Sequence, residues 1–387
     1  MKILLLSGSS YTTYGGFERV ASSVSKALIK RGYNVELLSI VAKKSELEKD
    51  AEYVKGIKIQ RYLLKYRMRI MVPKIFFYSL LGKTYTPGYN QIRDYLKNND
   101  KPDIVIVTNV EWIFTFALKK VLKDLKFDDV KIVWWHHTSL YPKLPIWMRI
   151  LGSNFMLRII FKKLVKEFDA FLAISTGIKE QILKFAPSAK IYTVFNPLNP
   201  YNGGLILRSK KTIFLYVGRI DDNPKNISFM FKGLSKIKKD WKLIIVGTGP
   251  DENKLKSLAN DLMIFQKIEW KGFKADPYKD LNEGVTSLLF TSRYEGFPMV
   301  LVEANQRGIP VISSNCQTGP SDIVISGVNG YLYPEGDMDA FVKTVNDAMD
   351  GKLTFGTPEE IAKTSERFYE NEYMERFIDF LNKINTK

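Results

Sequence analysis

Short unbroken apolar runs alternate along the chain with longer stretches in which apolar positions recur at helical spacing. KILLL (2–6), DIVIV (103–107), KIVWW (131–135) and AFLAI (170–174) show the first pattern. TIFLYV (212–217), KLIIV (242–246), TSLLF (286–290) and PVIS (310–313) repeat it later. Runs of this length, rich in β-branched and aromatic residues and without polar alternation, predict strands covered on both faces, as in parallel sheets. Helical spacing is carried between them by 16–30, 111–125 and 228–238. The alternation predicts an α/β chain, and 387 residues exceed one ordinary core, so two doubly wound domains are expected.

Both patterns stop in NPLNPYNGG (196–204), with its two prolines, three asparagines and two glycines. The boundary is therefore drawn between an N-terminal domain, 1–198, and a C-terminal domain, 199–364. The aromatic-rich helical tail, 365–387, is expected to cross back onto the first domain. Two such domains facing one another set the C-terminal ends of their strands along an interdomain cleft, where ligands of doubly wound sheets bind.

Composition narrows this picture. The single cysteine, Cys316, excludes a disulfide framework and suits a reducing cytoplasm. MKILLLSGSS leads into a glycine turn instead of a cleavage site and reads as a first buried strand, not a signal segment. No stretch of about 20 residues is free of charge, which argues against a spanning helix. The net charge of +17 is unevenly placed. Residues 1–198 hold 33 Lys+Arg against 16 Asp+Glu, while 199–387 hold 25 of each. A general lysine bias would raise both halves, so the N-terminal half is expected to face an anionic partner. Two basic and apolar stretches there, 58–83 and 143–166, have the composition of interfacial segments on anionic lipid. The alternative is an amphipathic helix packed on the core. No nucleic-acid recognition motif accompanies the charge.

Candidate chemistry concentrates in SRYEGFPMVLVEANQRGIPVISS (292–314). Glu295 falls in the loop after a strand, and Pro298 is placed to open a helix as its first residue. The amides of Met299 and Val300 would then be free at the helix start, an anion site. Glu303 follows roughly 7.5 Å further along the helix. A nucleotide diphosphate on that helix start would meet Glu295 on its sugar side and Glu303 on its ribose side. Each carboxylate can accept two hydroxyl hydrogen bonds. Cations for the pyrophosphate come from GRIDDNPKN (218–226), where Arg219 ends a strand and Lys225 follows six residues later. Gly15 and Gly16 precede a helix, but no G-x-G-x-x-G fingerprint is present, which disfavours an NAD enzyme. His136 and His137, the only histidines, end the strand KIVWW. They lack zinc-site spacing, and no metal or other cofactor is expected. Asp337 and Asp339 are assigned to helix capping.

Gly15-Gly16, a histidine after a strand, Gly218-Arg219 with Lys225, and Glu295-x7-Glu303 together resemble the GT-B retaining glycosyltransferases of family 4. AISTGIKEQI (173–182), FLYVGRI (214–220), EGFPMVLVEA (295–304), GIPVISSNCQTGP (308–320) and ERFY (366–369) are similar to members that build bacterial lipopolysaccharide. The resemblance covers essentially the whole chain. It implies two Rossmann-like domains, the C-terminal one binding a UDP-sugar and the N-terminal one a glycan or lipid-linked acceptor. Glu295 would contact the donor sugar, with Gly296, Phe297, Pro298, Met299 and Val300 nearby. Glu303 would hold the ribose, Gly218, Arg219 and Lys225 the pyrophosphate, and the Gly15-Gly16 loop would close over the phosphate. The family histidine is His137 or His136, according to whether Trp135 or Trp134 is aligned. The implied activity is transfer of a hexose (galactose, glucose or N-acetylglucosamine), with retention, to a membrane-associated glycan. Its implied place is the cytoplasm, peripheral on the inner face of the membrane. The rivals are a UDP-sugar epimerase or hydrolase of this fold and a non-catalytic partner subunit. The latter would have no use for the intact Arg, Lys and two Glu. Residues 143–166 look longer and more basic than in the lipopolysaccharide enzymes, so they bear on which acceptor is used.

Overall fold

The computed structural model describes residues 1–7, 16–41, 55–64, 86–108, 114–137, 163–279, 281 and 283–386. These form two compact units. One comprises Met1–Ile174, Ile178–Phe195 and Met374–Lys387, and the other Ser175–Gly177 and Asn196–Tyr373.

The first unit is built on strands β1 (Lys2–Ser7), β2 (Asn34–Val41), β3 (Lys58–Leu63), β4 (Ile104–Thr108), β5 (Lys131–His136), β6 (Ala170–Ala173) and β7 (Ile191–Thr193). Their order is β3-β2-β1-β4-β5-β6-β7, with every pairing parallel. Helices α1 (Gly16–Lys30), α2 (Tyr89–Asn98), α3 (Thr115–Asp124) and α4 (Thr176–Phe185) lie between strands in the chain. β1 and β4 are buried at every position, which is why each reads as an unbroken apolar run.

Three strands of this unit are not picked out by the apolar pattern: β2 is buried but its apolar run is interrupted by Glu36 and Ser39, and β3 and β7 are half-buried. β3 is an edge strand whose middle is only half-buried, and it occupies the start of the basic stretch 58–83. Its polar side chains are used laterally. Lys58 Nζ donates to Glu36 Oε1 at 3.0 Å, and Tyr62 OH donates to Asp94 Oδ2 at 2.7 Å. Residues 58–63 are thus a strand and not part of an interfacial helix. The rest of that stretch, 65–83, and residues 143–162 lie outside the described residues. β7 is three residues long and half-buried, too short for a periodic signal.

The second unit has strands β8 (Ile213–Val217), β9 (Lys242–Val246), β10 (Ile268–Trp270), β11 (Ser287–Phe290), β12 (Val311–Asn315) and β13 (Gly330–Pro334). Its order, β10-β9-β8-β11-β12-β13, is again all parallel. Helices α5 (Asp222–Lys225), α6 (Ile227–Leu234), α7 (Glu252–Asp261), α8 (Met299–Asn305), α9 (Pro320–Ile323), α10 (Met338–Met349) and α11 (Pro358–Lys363) complete it. Phe214, Leu243, Ile245 and Leu289 of the sheet share one core with Ile227, Met230 and Phe231 of α6 and with Phe341 and Val345 of α10. Asp337 caps α10 by accepting from Ala340 N at 2.9 Å, so the Asp337/Asp339 pair belongs to the helix end.

A final helix, α12 (Glu370–Asn385), supplies the last segment of the first unit. Its Phe377 ring lies 5.6 Å from that of Trp135 on β5, and its Phe380 ring 5.0 Å from that of Tyr192 on β7. Met374, Phe377, Phe380 and Leu381 are all buried. Among the described residues no helix is long and apolar enough to cross a membrane. Phe377→Ala would leave a large cavity beside Trp135. The expected loss is about 3–5 kcal/mol, read as a lower urea midpoint for the unfolding phase of the first unit followed by tryptophan fluorescence.

Candidate functional site

β8 and β11 are direct parallel neighbours, so the loops leaving their C-terminal ends start side by side. The β8 loop is held against the loop after β9. Gly218 N donates to Val246 O at 3.0 Å and Ile220 N to Thr248 O at 3.0 Å. A Cβ at Gly247 would sit 1.9 Å from Gly218 O, so only glycine permits this approach. Tyr216 OH donates to Arg219 O at 2.9 Å and fixes the turn from below. Burial, with Glu295 and Asp221 adding, pushes the Tyr216 phenol well above its ordinary range, so it stays a neutral donor.

The one-turn helix α5 then ends at Asn226, whose φ of 54° lies in the left-handed region. Two contacts bind this turn to the β11 loop: Arg293 N donates to Pro224 O at 2.9 Å, and Arg293 Nη1 to Asn223 O at 3.1 Å. The result is that Lys225 Nζ donates to Glu295 Oε1 at 2.6 Å, the two side chains 25% and 17% exposed. Two residues 70 apart in sequence thereby form one partly buried ion pair. Arg219 is exposed on the loop that follows β8.

The Glu295 loop rests on a plate formed by the residues after β12. Thr318 Oγ1 donates to Glu295 O, and Gly319, at φ 97°, lies so close to Pro298 that a Cβ would come within 2.4 Å of its Cδ. Phe297 is buried, its ring 5.4 Å from that of Phe368, so this side chain anchors the loop. Cys316 lies beneath; burial first, and then Glu295, push its thiol up to about 12. The chain's one cysteine is therefore a buried thiol and not a nucleophile.

Pro298 is not the first residue of α8. It is the N-cap, at φ −76° and ψ 88°, and the helix starts at Met299. Proline's fixed φ is satisfied there, but its ψ is extended instead of helical. Leu301 N already bonds to Pro298 O at 3.0 Å, which leaves Met299 and Val300 as the first amides of the helix. α8 is only seven residues long, so its dipole is small and the charge of this site rests mainly on side chains. Glu303 is half-buried on α8, and its carbonyl accepts from Arg307 Nη1 at 2.9 Å. The carboxylate of Glu303 adds to the burial that raises the phenol of Tyr278.

The second unit thus brings Lys225 and Glu295 into contact, with Gly218 and Arg219 on the loop after β8 and Gly296 and the start of α8 following Glu295 in the chain. Gly16 begins α1 of the first unit, and Gly15 lies outside the described residues. His136 and His137 are both buried, on opposite faces of the β5 line. His136 packs at 4.8 Å on Trp134, and His137 at 4.4 Å on Trp135. Burial, with His136 adding repulsion, holds the His137 imidazole well below the usual histidine range, so it is neutral near pH 7. Among the described residues no group of three or more His, Cys, Asp or Glu is placed to hold a metal ion. A cavity of about 780 Å³ elsewhere in the second unit is lined by Tyr201, Arg208, Lys211 and Tyr278 and includes none of the ion-pair residues.

Comparison with known proteins decides the family. The glycosyltransferase family 4 model matches residues 14–201, and the glycosyl transferases group 1 model matches residues 204–374. The chain thus carries a glycosyltransferase family 4 domain followed by a glycosyl transferases group 1 domain. The lipopolysaccharide 1,6-galactosyltransferase of Salmonella typhimurium is 40% identical over 228 residues, 57% of this chain and 62% of that one. Its Escherichia coli counterpart is 36% identical over 215 residues, 54% and 60% of the two chains. The match therefore spans about three fifths of these curated relatives. The apo structure of the lipopolysaccharide outer core galactosyltransferase WaaB superposes with a TM-score of 0.81 at 29% identity, covering 99% of both chains. Both of its parallel-sheet units are of the Rossmann-like kind found in GT-B enzymes.

Around the ion pair, Gly247 and Thr291 fall outside every motif of the sequence, while Tyr216, Thr318 and Gly319 lie within FLYVGRI and GIPVISSNCQTGP but carry no chemistry that marks them as site residues. The usable signal was position. GTGP (247–250) and CQTGP (316–320) each follow a buried strand that adjoins β8 or β11, and strand C-terminal ends are where loops converge.

The buried neutral His137 gives the first unit a signed pH dependence. The unfolded chain binds that proton near pH 6.5 while the folded unit resists it, so this stability is full above about pH 6.5 and is lost as pH falls below it. His137→Gln should shrink the drop in urea midpoint between about pH 7.5 and about pH 5.5. An equal drop in both proteins would contradict this.

Proposed function

We propose that the protein is a retaining glycosyltransferase that moves a hexose from a UDP-sugar to a hydroxyl of a membrane-associated glycan during cell-surface polysaccharide or lipopolysaccharide synthesis. The observation that carries the reading is the Lys225–Glu295 pair at 2.6 Å, set at the ends of two neighbouring parallel strands. An ammonium has three N–H donors, of which Glu295 takes one. Lys225 can therefore bridge the carboxylate and a phosphate oxygen at once. In this reading the bond between diphosphate and sugar would lie next to the second oxygen of Glu295, which is able to accept sugar hydroxyls.

Arg219, exposed on the loop after β8, would grip the diphosphate in a bidentate manner, and Glu303 would hold the ribose. The two cations and the first amides of α8 would stabilise charge on the departing UDP, and the acceptor hydroxyl would attack from the face it leaves. No metal is needed in this scheme. His137 or His136 of the first unit remains the candidate histidine, and burial keeps the His137 imidazole neutral, a hydrogen-bonding group and not a fixed charge. Support for the donor comes from the fold: an Anabaena protein, HepE, solved in complex with UDP, shares it at a TM-score of 0.71 and 17% identity over 99% of this chain. Support for the acceptor comes from the lipopolysaccharide galactosyltransferase relatives. We further propose a cytoplasmic location on the inner face of the membrane, from the charge excess of residues 1–198.

Donor-dependent UDP release should be seen with one of UDP-galactose, UDP-glucose or UDP-N-acetylglucosamine, and membrane extract should stimulate it. Turnover without any acceptor would favour an epimerase or a hydrolase instead. Arg219→Ala, Lys225→Ala and Glu295→Gln should each lower turnover by about 100- to 1000-fold with unchanged circular dichroism; full activity in all three would sink the assignment. Co-sedimentation should be retained on phosphatidylglycerol vesicles, absent on phosphatidylcholine and weakened by salt.

A further inference from the structure

We infer that Thr291 and Thr318 are positioning residues, each holding the main chain of one partner of the Lys225–Glu295 pair; this rests on the donor-binding role proposed for that pair. Neither hydroxyl is exposed, the two residues being 2% and 1% accessible. The single hydroxyl hydrogen of Thr291 Oγ1 is shared between Lys225 O at 2.9 Å and Asn226 O at 3.1 Å. Lys225 O ends a one-turn helix, where no later amide of that helix can serve it, whereas Asn226 O also accepts from Phe229 N at 3.2 Å. Thr318 Oγ1 donates to Glu295 O, three residues before the N-cap of α8.

The two threonines come from different loops, one after β11 and the other after β12, and these strands are hydrogen-bonded neighbours. β11 therefore carries Glu295 and also holds the backbone of Lys225, while β12 holds the backbone of Glu295. The surrounding contacts stiffen both. Ser314 Oγ donates to Ser292 O at 2.7 Å between the same two strand ends. Cys316 Sγ approaches Thr318 O at 3.8 Å. Threonine suits the task because its branched Cβ restricts χ1, so the hydroxyl points one way without further support. Valine has the same shape and withdraws the hydroxyl from the part-buried carbonyls of Lys225 and Glu295, the costly way to lose a hydrogen bond, while Asn226 O keeps its bond from Phe229 N at 3.2 Å.

The two variants should differ in which kinetic quantity they move, and a merely structural role would not separate them. With the full chain and the UDP-sugar that supports release, Thr318→Val should lower kcat by about 10- to 100-fold while UDP affinity, measured by calorimetry, stays within about threefold. Thr291→Val should weaken UDP and raise KM by about tenfold, because Lys225 meets the diphosphate. Thr318→Ser and Thr291→Ser should restore each quantity. Where a valine variant does not fold, the alanine variant removes the same hydroxyl without the methyl groups and decides the point. Valine variants with normal kcat, KM and UDP affinity would overturn the inference, as would identical losses of every quantity in both or serine variants as impaired as the valine ones. Lys225→Ala in the same assays separates the two levels. If it too binds UDP and turns over normally, the role of the pair is wrong; if it is inactive while the threonine variants are normal, only the positioning role is.

Discussion

A lysine ammonium and a glutamate carboxylate meet at 2.6 Å on the second unit, and both are mostly withdrawn from water. Such a pair is worth having only where the backbone on each side is held, because a mobile pair would lose its Coulomb gain to solvent and to side-chain entropy. The adjacency of β8 and β11 provides the first restraint, and the glycine-permitted contact between the β8 and β9 loops the second. The plate of residues 316–319 beneath Glu295 provides the third. Much of the local sequence that looks like unremarkable loop serves this one distance.

The first unit is organised by other forces. Its sheet has buried apolar strands such as β1 and β4 within it and half-buried ones, β3 and β7, at its edges, and α12 arrives from the far end of the chain to pack Phe377 and Phe380 against Trp135 and Tyr192. Neither unit is therefore a single continuous stretch of sequence. Two histidines end β5 within this aromatic setting, and burial keeps His137 neutral, a hydrogen-bonding group and not a fixed charge.

Electrostatics at the second unit rest on side chains more than on a helix end. α8 has seven residues and starts after an extended proline, so its amides contribute locally while Arg219 and Lys225 carry whole charges. A three-donor ammonium that spends one bond on Glu295 keeps two for a ligand. This reconciles a lysine assigned to phosphate with a glutamate assigned to sugar, although the two touch one another.

By itself the sequence determined the α/β class, most of the buried strands and the residues of the ion pair. Strands such as KILLL and KLIIV are covered on both faces, and that burial is written directly as apolar runs. It did not disclose the half-buried edge strand KIQRYL, whose polar residues pair sideways and leave no periodic trace. Nor did it place Pro298 correctly, since the residue type sets φ while the surrounding loop sets ψ. Only the tertiary structure decided that Lys225 and Glu295 touch and that Thr291 and Thr318 hold their carbonyls. Those contacts join residues 23 to 70 positions apart. Strand order sets contacts at that separation, and no local pattern encodes it.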